Sequence, residues 1–178
     1  KINTSLSCDL PLQIVFSSPT IKKLAQVINN QDNDSASRLV PFQIKGKVSP
    51  IYCLPGLGGY CMNLRLLSAK LVTDRAFFGV QAYVINAGEI PYKTISEMAA
   101  KDIAMIKKNQ GAGPYTLWGY SFGARVAFEA CYQLEQAGDV VKNLYLIAPG
   151  SPKVENEQDL AQNNEATFTN KKFITILY

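Results

Sequence analysis

An α/β fold, built on a mostly parallel sheet with helices on both faces, is what this sequence predicts, and three observations carry the prediction. Short apolar stretches of strand length alternate with stretches whose apolar residues recur every three to four positions. A glycine-rich turn, LPGLGG at residues 54–59, directly follows one of the strands. A Gly-x-Ser-x-Gly pentapeptide, Gly119 to Gly123, sits between another strand and a helical run. Strands alternating with helices form a parallel sheet sandwiched by its crossover helices. In such sheets, functional groups gather at the carboxyl ends of the strands.

The chain divides into two unequal parts. In residues 1–30, Pro19 and Thr20 signal a helix start, and Ile21, Leu24, Ala25 and Ile28 then form one apolar face. A lone helix cannot bury such a face, so this segment belongs to something larger. Residues 31–38, within NNQDNDSASR, hold no apolar side chain but Ala36 and read as a linker. A second unit starts near Leu39 and runs to residue 178. Its elements are a strand about Ile51–Leu54, a helix with Leu64, Leu67 and Leu71 on one face, and a strand at Ala76–Val80. A long helix follows, with Thr94 and Glu97 as a capping box and Ile95, Ala99, Ile103 and Ile106 along one side. PYTLWG is the next strand, GARVAFEACYQLEQAG the next helix, closed by Gly138, and VKNLYLIAPGSP carries the last strand.

Composition narrows the class of function. Of 178 residues, 47% are hydrophobic and 18% charged, which suits a globular domain with a proper core. The net charge of +4 is mild. Its basic pairs, Lys22-Lys23, Lys107-Lys108 and Lys171-Lys172, are scattered as solvated faces are, so no nucleic-acid partner is expected. No apolar stretch approaches the ~18 residues of a membrane span, and no signal peptide opens the chain. Cys8, Cys53, Cys61 and Cys131 lack CxxC spacing, and three of them read as buried thiols. With no histidine in the chain, no metal site is expected. A cytoplasmic protein fits all of this.

Ser121 is the candidate nucleophile. A Gly-x-Ser-x-Gly turn between strand and helix lifts its hydroxyl above the sheet, and side chains at Gly119 or Gly123 would collide with their surroundings. The helix that follows points its free N–H groups and positive dipole end at the site. The Phe122 N–H is then one candidate oxyanion donor. The second comes from the LPGLGG loop, with Leu57 as the first choice and Gly56 as the second.

With these residues in view, 39–178 resembles the thioesterase domain that ends nonribosomal peptide and polyketide synthases, an α/β-hydrolase. The matching stretches are IYCLPGLGGYCMNLRLLSAKL, AFFGVQA, TISEMAAKDIAMIKKNQGAGPYTLWGYSFGARVAFEACYQLEQAG and VKNLYLIAPGSP. LPLQIVFSSPTIKKLAQVI in residues 1–30 resembles the C-terminal part of a phosphopantetheine carrier domain. The resemblance implies a fold truncated before the last strands, with the start of the lid in 151–178. It implies release of an acyl, peptidyl or polyketide chain from a carrier's phosphopantetheine thioester through a serine acyl-enzyme, by hydrolysis or cyclisation. The partner is an acyl or peptidyl carrier domain of the same chain, and the thioesterase binds no cofactor of its own.

Two positions depart from the family. Where its acid commonly follows the strand after the elbow helix, this chain has Ala148, so the acid falls to a later strand. The family's histidine is absent, which the sequence explains most simply as a fragment of a larger chain. Asp139 and Asp159 read as solvated surface residues rather than as the acid. The apolar KKFITILY lines an acyl channel or packs on the core. Three other readings compete: a non-catalytic thioesterase-like module that binds an acyl carrier, a different α/β-hydrolase esterase or lipase, and a stand-alone proofreading thioesterase. The carrier-like segment argues against the last two.

Overall fold

The strand that leads into the pentapeptide lies inside the sheet, paired on both sides. The structure, a computed structural model, describes residues 2–8, 10, 14–30, 38–83, 85 and 89–149. Most of the linker (31–37), the lid start at 151–178, Asp159 and KKFITILY lie outside the described residues.

Among the described residues five strands form one sheet: β1 (Leu39–Gln43), β2 (Val48–Leu54), β3 (Arg75–Val80), β4 (Tyr115–Tyr120) and β5 (Val141–Ile147). Their order across the sheet is β1-β3-β2-β4-β5. The β3, β2, β4 and β5 pairings are parallel, while β1 runs antiparallel to β3 at one edge. The sheet is therefore mixed, though mostly parallel. β1 is the strand that sequence reading did not assign: LVPFQ has no clean alternation, and its Pro41 is tolerated only because an edge strand can spare a donor.

Alternation along the strands builds a core on each face. Tyr52, Leu54, Val80, Tyr115 and Leu117 point one way, onto α5 (Ile95–Gln110) and α6 (Phe122–Gln136). Those helices return Ala99, Ile106, Val126, Ala127, Ala130 and Leu134. Small alanines on both helices let them lie close to the strands, while Leu134 and Ile106 fill the gaps between. Val40, Ile51, Cys53 and Phe77 point the other way. Cys61 and Leu64, from a 3-10 turn at Cys61–Leu64, cover them and lead into α4 (Arg65–Lys70). That helix is shorter than the sequence suggests, because Leu71 already has extended dihedrals.

The helix ends follow their sequence signals. The Thr94 hydroxyl accepts from the Glu97 N–H at 3.1 Å, and the Glu97 carboxylate reaches back to the Lys93 N–H at 2.9 Å. The second bond lands one residue before the cap, a variant of the capping box. Gly138, at φ 82°, ends α6, and the Asp139 N–H returns to the Leu134 carbonyl at 2.9 Å.

Ahead of the sheet are α1 (Ile2–Leu6), α2 (Ile14–Ser17) and α3 (Ile21–Asn30). Ile14 is buried and α2 lies against β1. The predicted apolar face of α3 is largely uncovered, with Ile21 exposed and Leu24 and Ile28 half-buried. Among the described residues no helix is long and apolar enough to cross a membrane. All four cysteines are free thiols; Cys53 and Cys61 are buried, Cys8 and Cys131 half-buried.

Candidate active site

Parallel pairing brings four strand ends to one edge. Leu54 of β2 stands beside Gly119 of β4, and Tyr120 beside Ile147 of β5, while Cys53 pairs with Gly79 on the other side. The loops after β2, β3, β4 and β5 therefore open on the same side of the sheet, and Ser121 is central among them.

Ser121 has φ 52° and ψ −119°, a left-handed conformation that a serine adopts only at a cost of about 1–3 kcal/mol. Its N–H donates to the Ile147 carbonyl at 2.8 Å, and its carbonyl accepts from the Ala124 N–H at 3.0 Å. The turn is thus tied to β5 on one side and to the first turn of α6 on the other. The flanking glycines answer to packing. A Cβ on Gly119 would stand 2.4 Å from the Ala124 Cα and the Gly123 carbonyl oxygen. One on Gly123 would stand 2.3 Å from the Pro55 oxygen and 2.4 Å from the Leu54 oxygen. Any side chain at either position would pry the helix off the sheet. Phe122 is the first residue of α6, so its N–H has no helical acceptor. Its ring packs on the helix-side core.

The loop after β2 forms the opposite wall. The Gly59 N–H donates to the Gly56 carbonyl at 3.0 Å, closing a tight turn with half-exposed Leu57 and exposed Gly58 at its tip. Gly56 lies close to Ser121: a Cβ there would stand 3.3 Å from the Ser121 Cβ and 3.2 Å from the Tyr120 ring. Tyr120, 42% exposed, and Tyr60, 41% exposed, stand at the same edge as aromatic surface.

A second polar cluster holds the connection from β3 to α5. The Arg38 guanidinium donates to the Ala82 carbonyl at 2.8 Å, pairs with the Glu89 carboxylate, and lies 4.1 Å over the Tyr83 ring. Tyr83 in turn packs on Tyr92, centroids 4.7 Å apart. Arg38, Tyr83, Tyr92, Lys101, Asp102 and Met105 line a cavity of about 160 Å³. Burial pushes the Asp102 carboxyl up to about 7, against the pull of the Arg38 charge. The sequence places Arg38 at the end of a linker; its side chain is instead built into the α/β unit. Nothing in SASRLVPF distinguishes it from a solvated arginine, because its partners lie 44 and 51 residues away. Nearby, the buried Gln81 side chain accepts from the Cys61 thiol at 3.0 Å and the Cys61 N–H at 3.4 Å.

Ala148, where the family's acid is common, has φ 47° at the end of β5. Asp139 is at the opposite edge of the sheet, ahead of β5, where it pairs with Lys107 at 2.5 Å. It stands apart from Ser121 as a surface ion pair does. Burial holds the thiols of Cys53 and Cys61 up at about 12, which leaves them inert as nucleophiles. Among the described residues no group of His, Cys, Asp or Glu could hold a metal ion.

Comparison with known proteins agrees with this geometry. An indigoidine synthase from Dickeya dadantii is 57% identical over 178 residues, all of this chain and 12% of that protein. The nonribosomal peptide synthetase pngA of Aspergillus terreus is 37% identical over 142 residues, 78% of this chain and 15% of that protein. The chain therefore spans less than a sixth of the length of either relative. Among solved structures, YbtT, a type II thioesterase from the yersiniabactin NRPS/PKS biosynthetic pathway, matches with a TM-score of 0.59 at 25% identity. That match covers 79% of this chain and 56% of YbtT. Residues 49–177 match the family described as Thioesterase domain, and with the α/β-hydrolase sheet and its strand–serine–helix turn already in place, the chain belongs to that family.

Proposed function

We propose that this chain is the chain-releasing serine thioesterase of a nonribosomal-peptide-type synthase resembling indigoidine synthase. It takes an acyl or peptidyl group from the phosphopantetheine thioester of a carrier domain in the same protein, in the cytoplasm. Residues 1–30 are the end of that carrier, 31–38 the linker, and 39–178 the first part of the thioesterase. The observation that carries the reading is the left-handed, strained backbone of Ser121 at the strand–helix junction.

In this mechanism the Ser121 Oγ attacks the thioester carbonyl and the pantetheine thiol departs with a proton. The N–H groups of Phe122 and Leu57 hold the oxyanion, with Gly119 and Gly123 permitting the turn. The sequence contains no histidine, so the base that takes the Ser121 proton comes from outside these 178 residues. Water or an internal nucleophile then releases the acyl group. The exposed ring of Tyr120, next to Ser121 in the chain, supplies apolar surface for the acyl chain.

A second reading, an acyl-carrier-binding module without catalysis, is favoured by Ala148 at the family's acid position. One experiment separates the two. In the full-length protein, Ser121→Ala is expected to abolish release, by about 10⁶ in rate, and intact-mass analysis with an acyl thioester is expected to place the adduct on Ser121. Undiminished release by the alanine variant, or an adduct elsewhere, overturns the serine mechanism.

A further inference from the structure

We propose that Arg38 is a positioning residue for the loop that faces Ser121, acting through Ala82 and Gly59; the inference rests on the reading of Ser121 as nucleophile. A continuous chain of contacts leads from one to the other. The Arg38 carbonyl accepts from the Gln81 N–H at 2.7 Å, and its guanidinium donates to the Ala82 carbonyl at 2.8 Å. The Ala82 N–H donates to the Gly59 carbonyl at 3.1 Å, and the Gly59 N–H donates to the Gly56 carbonyl at 3.0 Å. Gly56 then lies directly against Ser121 and Tyr120.

Packing makes this chain stiff. A Cβ on Gly59 would stand 2.3 Å from the Ala82 Cβ, so the Ala82 methyl already rests close against Gly59, and Ala82 cannot move toward the loop without displacing Gly59. Gly59 has φ 74°, which glycine adopts without steric cost and a side-chain-bearing residue would not. The guanidinium is suited to hold Ala82 there. One nitrogen takes the Ala82 carbonyl, the other the Glu89 carboxylate, and the planar face rests on Tyr83. A lysine offers a point charge in place of that fork and face, so it cannot hold all three partners at once. Gln81, bonded through its side chain to Cys61, ties down the far end of the same loop. The oxyanion wall is thus held partly by a side chain outside it, while the elbow is held by its own turn and by the backbone of the neighbouring strand ends. A misplacement of about 1 Å in such a wall costs up to about a hundredfold in rate.

The test uses the full-length protein with Arg38→Ala, Arg38→Lys and Ser121→Ala. Single-turnover acylation by a carrier-bound acyl thioester and amide hydrogen exchange of peptides covering 55–60, 81–83 and α6 are measured together. Arg38→Ala is expected to slow acylation about tenfold or more at unchanged KM. It is expected to raise exchange at 55–60 and 81–83 and to leave α6 protected. Arg38→Lys recovers only part of the rate and keeps the fold comparable should the alanine variant unfold. Unchanged acylation and exchange in both variants overturn the proposal, as does exchange that rises equally in α6, since Arg38 then serves general stability. Full activity of Ser121→Ala would instead remove the nucleophile reading, and the exchange data would still decide whether Arg38 positions the loop.

Discussion

The two walls around Ser121 are held in opposite ways. The elbow is made of six consecutive residues, Gly119 to Ala124, and its shape follows from steric limits within that run and on the strand beside it. The loop at 55–59 closes on itself through the Gly59 N–H to Gly56 carbonyl bond. It is kept in place by Ala82, Gln81 and, through Ala82, by Arg38. The elbow is fixed by backbone contacts to the ends of β2 and β5, the loop by an arginine side chain as well, so damage from a distant side chain is expected chiefly on the second side. Substitutions that act on one wall at a time can break or sharpen that contrast.

The largest effect is expected from Gly123→Ala. Its methyl group would meet the carbonyl oxygens of Leu54, the last residue of the central strand β2, and of Pro55, the first residue of the loop after it. A loss of about 3 kcal/mol in unfolding free energy is expected by denaturant titration. A variant as stable as the parent would show that the elbow is looser than these contacts require.

Asp102→Asn tests the supported wall from behind. The folded protein raises this carboxyl from 3.8 to about 7, chiefly by burial. The folded state therefore binds the proton more tightly than the unfolded chain does. Stability is highest below the unfolded value, falls as pH rises through the interval to about 7, and is level above it. The groups facing the carboxyl are Arg38, Lys101, Tyr83 and Tyr92, and Arg38 is the one that opposes the shift. Asparagine removes the charge, so the variant is expected to be more stable than the parent at pH 8 and no more stable at pH 4. Parallel stability curves for the two proteins from pH 4 to 8 would contradict the burial of this carboxyl.

Gly58→Ala carries the smallest effect and isolates backbone from packing. A Cβ there meets nothing within 4 Å, but φ is 90°. The expected cost is about 1 kcal/mol, from strain alone. Calorimetry showing a loss as large as that of Gly123→Ala would mean that the loop tip is packed more tightly than its open surroundings indicate.

Much of this architecture was legible before any coordinates. The strands at Ile51–Leu54 and Ala76–Val80, the capped helix from Ile95 and the helix closed by Gly138 each follow from a period of two or 3.6 residues and from end signals a few residues long. The place of Gly119 to Gly123 between strand and helix is equally local. The antiparallel β1 and the early end of α4 were not legible, because an edge strand with a proline lacks alternation and Leu71 ends a helix by its dihedrals rather than by its side chain. By itself, then, the sequence determined the elements, the two core faces and the turn that presents Ser121, since short-range sterics and hydrophobic spacing are written in neighbouring residues. Only the tertiary structure decided that Gly56 meets Ser121, that Arg38 leaves the linker to hold Ala82 and Glu89, and that Asp102 is buried beside it. Those contacts join residues some 40 to 65 positions apart, and at that range partners are chosen by how the strands pair and not by anything carried in the local chain.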